Sequence, residues 1–168
     1  MKLEGTALLI PQDDVDTDVL YPGEFLNITD VEAMKPHLFD GLDPGLRERL
    51  HDETALVVGA NFGSGSSREH VPQAMRASGV RFLVGRSFAR IFARNCLNLG
   101  LPVITCPEAV DAARDDATVA IDLDTGSLEV DGAAFAVPPL PPFMRELVGA
   151  GGLIDWVRGR LDATTEVV

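Results

Sequence analysis

The sequence is short of basic residues, aromatic residues and long apolar runs, and these shortages exclude several classes of protein. Its 168 residues contain 14 Lys and Arg against 26 Asp and Glu, which gives a formal net charge of −12. A charge of this sign repels nucleic-acid phosphates and anionic lipid, so we expect no nucleic acid and no membrane as partners. No run approaches the roughly 18 apolar residues of a membrane-spanning helix, and residues 1–5 lack the apolar core of a signal peptide. We therefore expect a cytoplasmic protein.

Cysteine is also scarce. The two cysteines, Cys96 and Cys106, form no Cys-x-x-Cys motif and have no histidine nearby in the sequence. Zinc sites and iron–sulfur clusters need such groups of ligands, so this chain alone is expected to bind neither a metal ion nor a cluster. We expect both cysteines to be buried free thiols.

The residues that are plentiful favour one packed α/β domain over residues 1–168. Hydrophobic residues make up 46% of the chain and aromatic residues only 6%, and there are 16 glycines and 11 prolines. This composition predicts a core of Val, Leu, Ile and Ala between many tight turns. A domain of this length buries roughly 70% of the surface of its unfolded chain, which is enough for one ordinary core.

The middle of the chain alternates between strand and helix patterns. Residues 55–59, 80–84 and 101–105 are apolar runs of strand length, and residues 68–78 and 88–97 between them have helical periodicity. Gly79 and Gly100 end the two predicted helices, and Ser87 is the predicted N-cap of the second. Strands that alternate with helices of this length predict parallel β-α-β units.

The flanking regions predict other elements. Residues 5–11 form a predicted strand, and residues 30–51 predict short helices or irregular packing. Residues 117–123 and 127–130 predict a β-hairpin around a turn at 124–126. Two short helices are predicted at 143–148 and 153–158, with apolar residues that dock on the sheet.

A loop rich in glycine and serine, Gly63-Ser64-Gly65-Ser66-Ser67-Arg68, stands between a predicted strand and a predicted helix, and we call it the serine loop. Glycines expose backbone N–H groups, and a helix N-terminus adds partial positive charge. The Arg68 guanidinium can grip a carboxylate in two places, while the absence of a Lys after the glycines argues against a nucleotide P-loop. The loop therefore predicts an anion site, and a serine-capped helix after an ordinary turn is the alternative.

An acidic segment, residues 13–18, has four aspartates in six positions. Clustered carboxylates suit hard metal ions, although the segment lacks the glycine and the distant Glu of a calcium loop. A solvated turn is the second interpretation. In the third, Thr17 and Asp18 lie beside the serine loop, where the first strand delivers them.

Two further features have structural explanations beside functional ones. Asp124-Thr125-Gly126-Ser127 matches the active-site tetrapeptide of aspartic proteases, which need two such aspartates, and it also suits a hairpin turn. His37 and His51 are expected to be exposed. His70, two positions after Arg68, is expected close to the serine loop, either in a structural hydrogen bond or in the chemistry of the site.

Ordered blocks of sequence together resemble one known family. The blocks are residues 13–18, residues 61–70, and residues 87–92 followed by Asn95 and Gly100-Leu101-Pro102, and the likeness continues to Gly151-Gly152-Leu153. They resemble the small subunit of 3-isopropylmalate dehydratase and its homoaconitase relatives. The resemblance covers nearly the whole chain.

This resemblance implies a fold, a partner, a cofactor and a reaction. The fold is the swivelling domain of the aconitase superfamily, an α/β unit of three layers, β/β/α, with parallel β-α-β units. It closes over a [4Fe–4S] cluster that a separate large subunit carries, so the cluster is expected on the partner and not on this chain. The implied reaction is dehydration and rehydration of a small hydroxy di- or tricarboxylic acid, which belongs to leucine biosynthesis in the isopropylmalate members.

The resemblance also implies roles for individual residues. Ser66 corresponds to the family's catalytic base, which removes a proton α to a carboxylate. Backbone N–H groups of the loop and the helix N-terminus give a physical reason why an alkoxide is tolerated there. The implied substrate contacts are Gly65, Ser67, Arg68, Thr17 and Asp18.

Substrate specificity is implied for Phe25, Leu26, Asn27 and Ile28. Isopropylmalate enzymes usually have an apolar residue at the position of Asn27, and homoaconitases have an Arg. Because no cation stands there to pair with a third carboxylate, isopropylmalate is favoured, with homoaconitate or a methylmalate as the alternative. A non-catalytic anion-binding module is the alternative of another class, and self-association of the isolated chain is left open.

Overall fold

The computed structural model describes residues 1–165, and a seven-stranded mixed sheet organises them. The order of strands across the sheet is 4-3-2-1-5-6-7. The first four strands are parallel to their neighbours and the last three are antiparallel, so the sheet has a parallel half and an antiparallel half. The strands are β1 (Lys2–Ile10), β2 (Thr54–Val58), β3 (Val80–Gly85), β4 (Val103–Thr105), β5 (Thr118–Asp122), β6 (Ser127–Val130) and β7 (Ala133–Ala136).

Helices fill the connections between these strands. As expected, residues 30–51 contain only short helices, and α4 and α5 confirm the two predicted β-α-β units. None of the described helices is long and apolar enough to cross a membrane. The α-helices are α1 (Thr17–Leu20), α2 (Val31–Met34), α3 (Gly45–Glu48), α4 (His70–Ala77), α5 (Arg90–Asn98), α6 (Pro107–Ala112), α7 (Pro142–Ala150) and α8 (Leu153–Thr165), and 3-10 turns lie at Gly23–Phe25 and Lys35–His37.

The sheet separates two groups of buried side chains. On β1, Leu8 and Ile10 pack with residues of α4 and α5, whereas Ala7 packs on the other side with α6 and with hairpin residues such as Val119. All five residues of β2 are buried because both of its faces are covered. A strand that is buried on both faces has a continuous apolar sequence and no alternation of apolar and polar residues. The predicted α/β class is confirmed.

The parallel half determines where a ligand site can form. The carboxyl ends of parallel strands lie at the same edge of a sheet, and the loops that leave them face a common crevice. The acidic segment follows β1, the serine loop follows β2, and Ser87 follows β3. The fold thus brings together segments that are far apart in the sequence.

Two predictions about the helices are wrong. Ser87 does not cap α5, whose N-cap is Ala89 without a side-chain bond, because the Ser87 hydroxyl instead accepts the Asn61 backbone N–H at 2.8 Å. The apolar residues of α8 do not all dock on the sheet, since Ile154 is 66% exposed. This helix packs against α7, where the Trp156 ring meets the Phe143 ring edge-on.

Candidate active site

The candidate site lies where the acidic segment and the serine loop run side by side. Asp16 and Ser64 form a parallel bridge between them. The Thr17 N–H donates to the Ser64 carbonyl and the Gly63 N–H donates to the Val15 carbonyl, both at 2.8 Å. These bonds place Thr17 against the serine loop, as in the third interpretation of the acidic segment.

Three of the four aspartates of the acidic segment accept hydrogen bonds from the chain itself. Asp13 accepts the Ala60 N–H at 2.6 Å, and Asp14 accepts the side-chain amide of Asn61 at 2.9 Å. Asp16 caps α1 by accepting two backbone N–H groups of its first turn. No group of three or more His, Cys, Asp or Glu side chains within residues 1–165 is arranged to hold a metal ion. The segment therefore supports the loop that follows β2.

Thr17 holds the backbone of Ser66 in place. Thr17 is only 4% exposed, and its hydroxyl accepts the Ser66 N–H at 2.9 Å. The Ser66 hydroxyl in turn accepts the Arg68 N–H at 3.2 Å. The Ser66 oxygen thus already has an N–H donor, just before a helix N-terminus that favours negative charge.

Two glycines allow the serine loop to take this path. Gly63 and Gly65 have φ values of +80° and +97°, a region that other residues rarely adopt. A Cβ atom on Gly63 would lie 2.2 Å from the Phe92 ring, and one on Gly65 would lie 3.3 Å from the Thr17 hydroxyl. The loop can therefore approach α5 and Thr17 this closely only with glycine at both positions.

Asn95 of α5 fixes the serine loop from the other side. Asn95 is 6% exposed, and its amide donates to the Ser67 carbonyl at 2.8 Å. Buried polar groups need such partners. An asparagine on the apolar face of a predicted helix is a sequence signal for this role, but only the fold shows which carbonyl it meets.

A narrow cleft opens at the serine loop. Five of the predicted site residues line it together, and His70 lines it as well, as expected from its position after Arg68. Tyr21 and Val71 also line the cleft, and no sequence pattern placed Tyr21 there. Gly65 and Ser67 are exposed residues of the same loop, and they do not line the cleft. The five predicted residues are Thr17, Asp18, Leu26, Ser66 and Arg68.

Arg68 is the cation of this cleft. Its side chain is exposed, and within residues 1–165 its guanidinium has no hydrogen bond and no ion pair. By contrast, Arg47 and Arg145 are each paired with an aspartate. The Arg68 guanidinium is therefore available to an anion from outside the chain.

The predicted specificity residues form a turn, residues 25–28, that we call the specificity turn. Leu26 lines the cleft, Asn27 is exposed, and Phe25 and Ile28 pack against the core. The Phe25 ring stacks on the His37 ring with 3.7 Å between centroids. The expectation that His37 is exposed is therefore wrong, whereas His51 is exposed as expected.

His37 is held in turn by a charged neighbour. Its Nδ1 lies 3.3 Å from the carboxylate of Asp40, which also pairs with Arg47. Burial opposes the charge of Asp40, but the hydrogen bonds from Arg47 and His37 outweigh it and keep the pKa of Asp40 below its ordinary value. The carboxylate thus stays ionised beneath the specificity turn.

Two other sequence features take no part in the cleft. Asp124 lies in the turn between β5 and β6, where it pairs with Arg145 and with the N-terminal amine.

Cys96 and Cys106 are free and buried, which confirms the prediction, and burial raises the pKa of Cys96. Cys96 and Cys106 belong to the two different groups of buried side chains that the sheet separates, so they do not form a common set of cluster ligands.

Comparison with known proteins finds a family model that matches the region of the serine loop and relatives that match most of the chain. A family model described as the aconitase C-terminal domain matches residues 47–109, which include the serine loop and α5. The 3-isopropylmalate dehydratase small subunit of Caldanaerobacter subterraneus subsp. tengcongensis is 42% identical over 151 residues, which are 89% of this chain and 94% of that one. That of Thermodesulfovibrio yellowstonii is 39% identical over 163 residues, 96% of each chain.

A solved structure agrees with the sequence relatives. The crystal structure of 3-isopropylmalate dehydratase from Methanocaldococcus jannaschii has a TM-score of 0.90 and 32% identity to this chain, with 100% of both chains covered. The likeness therefore extends over the acidic segment, the serine loop and both halves of the sheet. A chain with this sequence similarity over its whole length, and with this fold, belongs to the family of 3-isopropylmalate dehydratase small subunits.

Proposed function

We propose that this chain contributes part of the active site of a hydro-lyase that interconverts 2-isopropylmalate and 3-isopropylmalate, a step of leucine biosynthesis. Its relatives are named for this dehydratase and as its small subunit, which implies a large-subunit partner. The observation that carries the proposal is the Ser66 hydroxyl, which lines the cleft beside Arg68 and accepts the Arg68 N–H at 3.2 Å. One loop thus offers a hydroxyl oxygen that already has an N–H donor, and a cation for a carboxylate.

In this proposal, Ser66 is the catalytic base. Its deprotonated oxygen takes a proton from the carbon next to a substrate carboxylate, the electrons of that C–H bond form a carbon–carbon double bond, and the neighbouring carbon loses its hydroxyl group as hydroxide, which a proton from solvent converts to water. The cluster implied on the large subunit would supply the Lewis acidity for this departure. Water then adds in the opposite orientation, with the hydroxyl group on the carbon that lost the proton, and this addition gives the isomer. A serine alkoxide is costly in water, but here the Arg68 N–H and the N-terminus of α4 stabilise its charge. Thr17 keeps the oxygen in place through its bond to the Ser66 N–H.

The remaining predicted contacts bind the acid. The Arg68 guanidinium can hold one substrate carboxylate through two parallel hydrogen bonds. Gly65 and Ser67 lie outside the cleft on the exposed side of the same loop, so we assign to them only the part of the acid that projects from the cleft: Ser67 offers a hydroxyl donor, and Gly65 offers a backbone without a side chain. Asp18 is an acceptor in the cleft, so we assign it to a hydroxyl group of the substrate and not to a carboxylate.

We further propose that residues 1–168 act as one unit and that the large subunit carries the [4Fe–4S] cluster implied by the family resemblance. In support of this, the two cysteines lie on opposite sides of the sheet, and no group of three or more metal-ligating side chains is present within residues 1–165. The contribution of this chain is to bind the acid and to hold the base.

Co-expression of this chain with the large subunit tests the proposal. The assembled protein is expected to convert 3-isopropylmalate, while the purified 168-residue chain alone is inactive. Citraconate and homoaconitate serve as comparison substrates. Conversion of homoaconitate without conversion of 3-isopropylmalate would contradict the substrate. No turnover of any of the three acids by a cluster-loaded assembly would favour a non-catalytic anion-binding module.

A further inference from the structure

We propose that His70 and Tyr21 are positioning residues that fix the specificity turn against the serine loop and thereby set the selectivity for the substrate side chain. The inference rests on the proposed function, because it concerns the substrate of the same cleft. Three observations carry it: hydrogen bonds to two successive carbonyls of the turn, a stacked ring behind it, and an unpaired buried nitrogen.

The first bond joins the specificity turn to the helix that follows the serine loop. His70 Nε2 lies 3.0 Å from the Leu26 carbonyl, 44 positions earlier in the chain. A carbonyl only accepts, so this nitrogen carries the hydrogen. Because His70 begins α4 two positions after Arg68, the bond sets the distance between Leu26 and the residues that bind the carboxylate.

The second bond holds the preceding carbonyl of the turn. The Tyr21 hydroxyl donates to the Phe25 carbonyl at 3.3 Å, and the Tyr21 ring lies 5.7 Å from the His70 ring. Burial raises the pKa of Tyr21, so its hydroxyl stays protonated and remains a donor. The Phe25 carbonyl also accepts the Ile28 N–H at 3.0 Å, which closes the turn.

The turn is supported on its other side by His37. The Phe25 ring stacks on His37 with an interplanar angle of 17°, and His37 is anchored to Asp40. Because ring contacts hold one side of the turn and hydrogen bonds hold its carbonyls, it keeps one position over the cleft. Leu26 then faces the cleft, and Asn27 is exposed next to it.

The unpaired nitrogen leaves the bond to Leu26 as the one hydrogen bond of the His70 ring in the described part of the chain. His70 Nδ1 is buried and has no hydrogen-bond partner within residues 1–165. Within these residues the ring is therefore oriented by the Leu26 carbonyl and by its contact with the Tyr21 ring. Both contacts lie beside the specificity turn, as a positioning role requires.

Four variants separate positioning from general stability. His70→Leu removes the donor and keeps a similar volume, whereas His70→Gln keeps an N–H that can reach the Leu26 carbonyl. Tyr21→Phe removes only a hydroxyl, and a smaller effect is expected because the Phe25 carbonyl keeps its bond from Ile28. His51→Leu is the control, since His51 is an exposed histidine outside the cleft.

Hydrogen exchange of the isolated chain is the first measurement and requires no activity. In His70→Leu, the amides of Leu26 and Ile28 are expected to exchange at least about tenfold faster than in the wild type, because the turn opens locally. His70→Gln and His51→Leu should match the wild type. Unchanged exchange in His70→Leu would overturn the positioning role. If His70→Leu does not fold, the same measurement on Tyr21→Phe tests the positioning role. Exchange of the Leu26 and Ile28 amides that is no faster in Tyr21→Phe than in the wild type would then overturn that role.

Substrate selectivity of the assembled enzyme is the second measurement. The ratio of kcat/KM for 3-isopropylmalate to that for 3-methylmalate is expected to fall about tenfold in His70→Leu and to stay near the wild-type ratio in His70→Gln. A purely structural role would lower both values equally, so an unchanged ratio overturns the selectivity claim while the proposed function stands. If the wild-type assembly converts neither acid, the proposed function fails and the selectivity claim fails with it.

Discussion

Two loops of this chain carry the residue types of known active sites, but they use them differently. In the turn of residues 124–127, the Asp124 carboxylate pairs with Arg145 and with the N-terminal amine, so its charge is used within the chain. In the serine loop, hydrogen bonds hold mainly the backbone, and the Arg68 guanidinium has no partner within residues 1–165. A site for a ligand is recognised by polar groups that the fold has positioned and left unpaired.

The two loops also differ in their neighbours. The serine loop leaves a parallel strand, so the loops after β1 and β3 meet it at the same edge of the sheet. The turn at 124–127 joins two antiparallel neighbours and needs only to reverse the chain. The parallel half can therefore gather groups from distant parts of the sequence. Four predictions test this difference.

The largest effect is expected at Ser66. In the assembled enzyme, Ser66→Ala should lower kcat by roughly 100-fold or more with little change in KM, because it removes a group that acts only in proton transfer. The control is Ser127→Ala in the other loop, which should keep the wild-type kcat. A Ser66→Ala enzyme with wild-type kcat would place the base elsewhere.

Arg68 should affect binding more than turnover. Arg68→Lys is expected to raise KM about tenfold, because the lysine ammonium cannot make the two parallel hydrogen bonds that a guanidinium makes to a carboxylate. Arg145→Lys is the matched change at an arginine that is paired within the chain, and it should leave KM unchanged. Steady-state kinetics of both variants provide the measurement, and equal KM values in the two would contradict the assignment.

Asn27 should affect only the choice of substrate. Asn27→Arg is expected to raise kcat/KM for homoaconitate relative to 3-isopropylmalate by about tenfold, and Asn27→Val should shift the ratio the other way by less. Because Asn27 is exposed next to Leu26, we expect a change in the ratio of kcat/KM values at the lower end of the range that contacts in a binding pocket produce. A constant ratio in both variants would leave Leu26 as the residue of the turn that contacts the substrate side chain.

The smallest effect is expected at Asp124, and on stability alone. Asp124→Asn should lower the free energy of unfolding by about 0.5–1 kcal/mol, because partly exposed ion pairs contribute little. Denaturant unfolding of the isolated chain measures this change, and the assembled enzyme should keep its activity. Lost activity with unchanged stability would mean that the turn, and not only the serine loop, takes part in function.

Local sequence patterns predicted elements in both halves of the sheet. The helix predicted at 88–97 is observed at Arg90–Asn98, and the predicted hairpin is formed by β5 and β6. These helices and strands are recognisable because their apolar residues repeat with different periods. β7 has no such signal, since Ala133–Ala136 is mostly alanine and becomes a strand by pairing with β6. The short helix α6 likewise was not predicted.

For the site, the sequence alone determined the glycine–serine loop between a strand and a helix, its suitability for an anion and its likeness to one family. Local spacing is sufficient for the loop and its suitability for an anion, because both depend on residues adjacent in the chain, and the likeness needs only the order of such blocks along the sequence. Only the tertiary structure decided that Thr17 holds Ser66, that Asn95 holds Ser67 and that His70 holds Leu26. Such contacts join residues 28 to 49 positions apart. They depend on the order of the strands in the sheet, which no local period encodes.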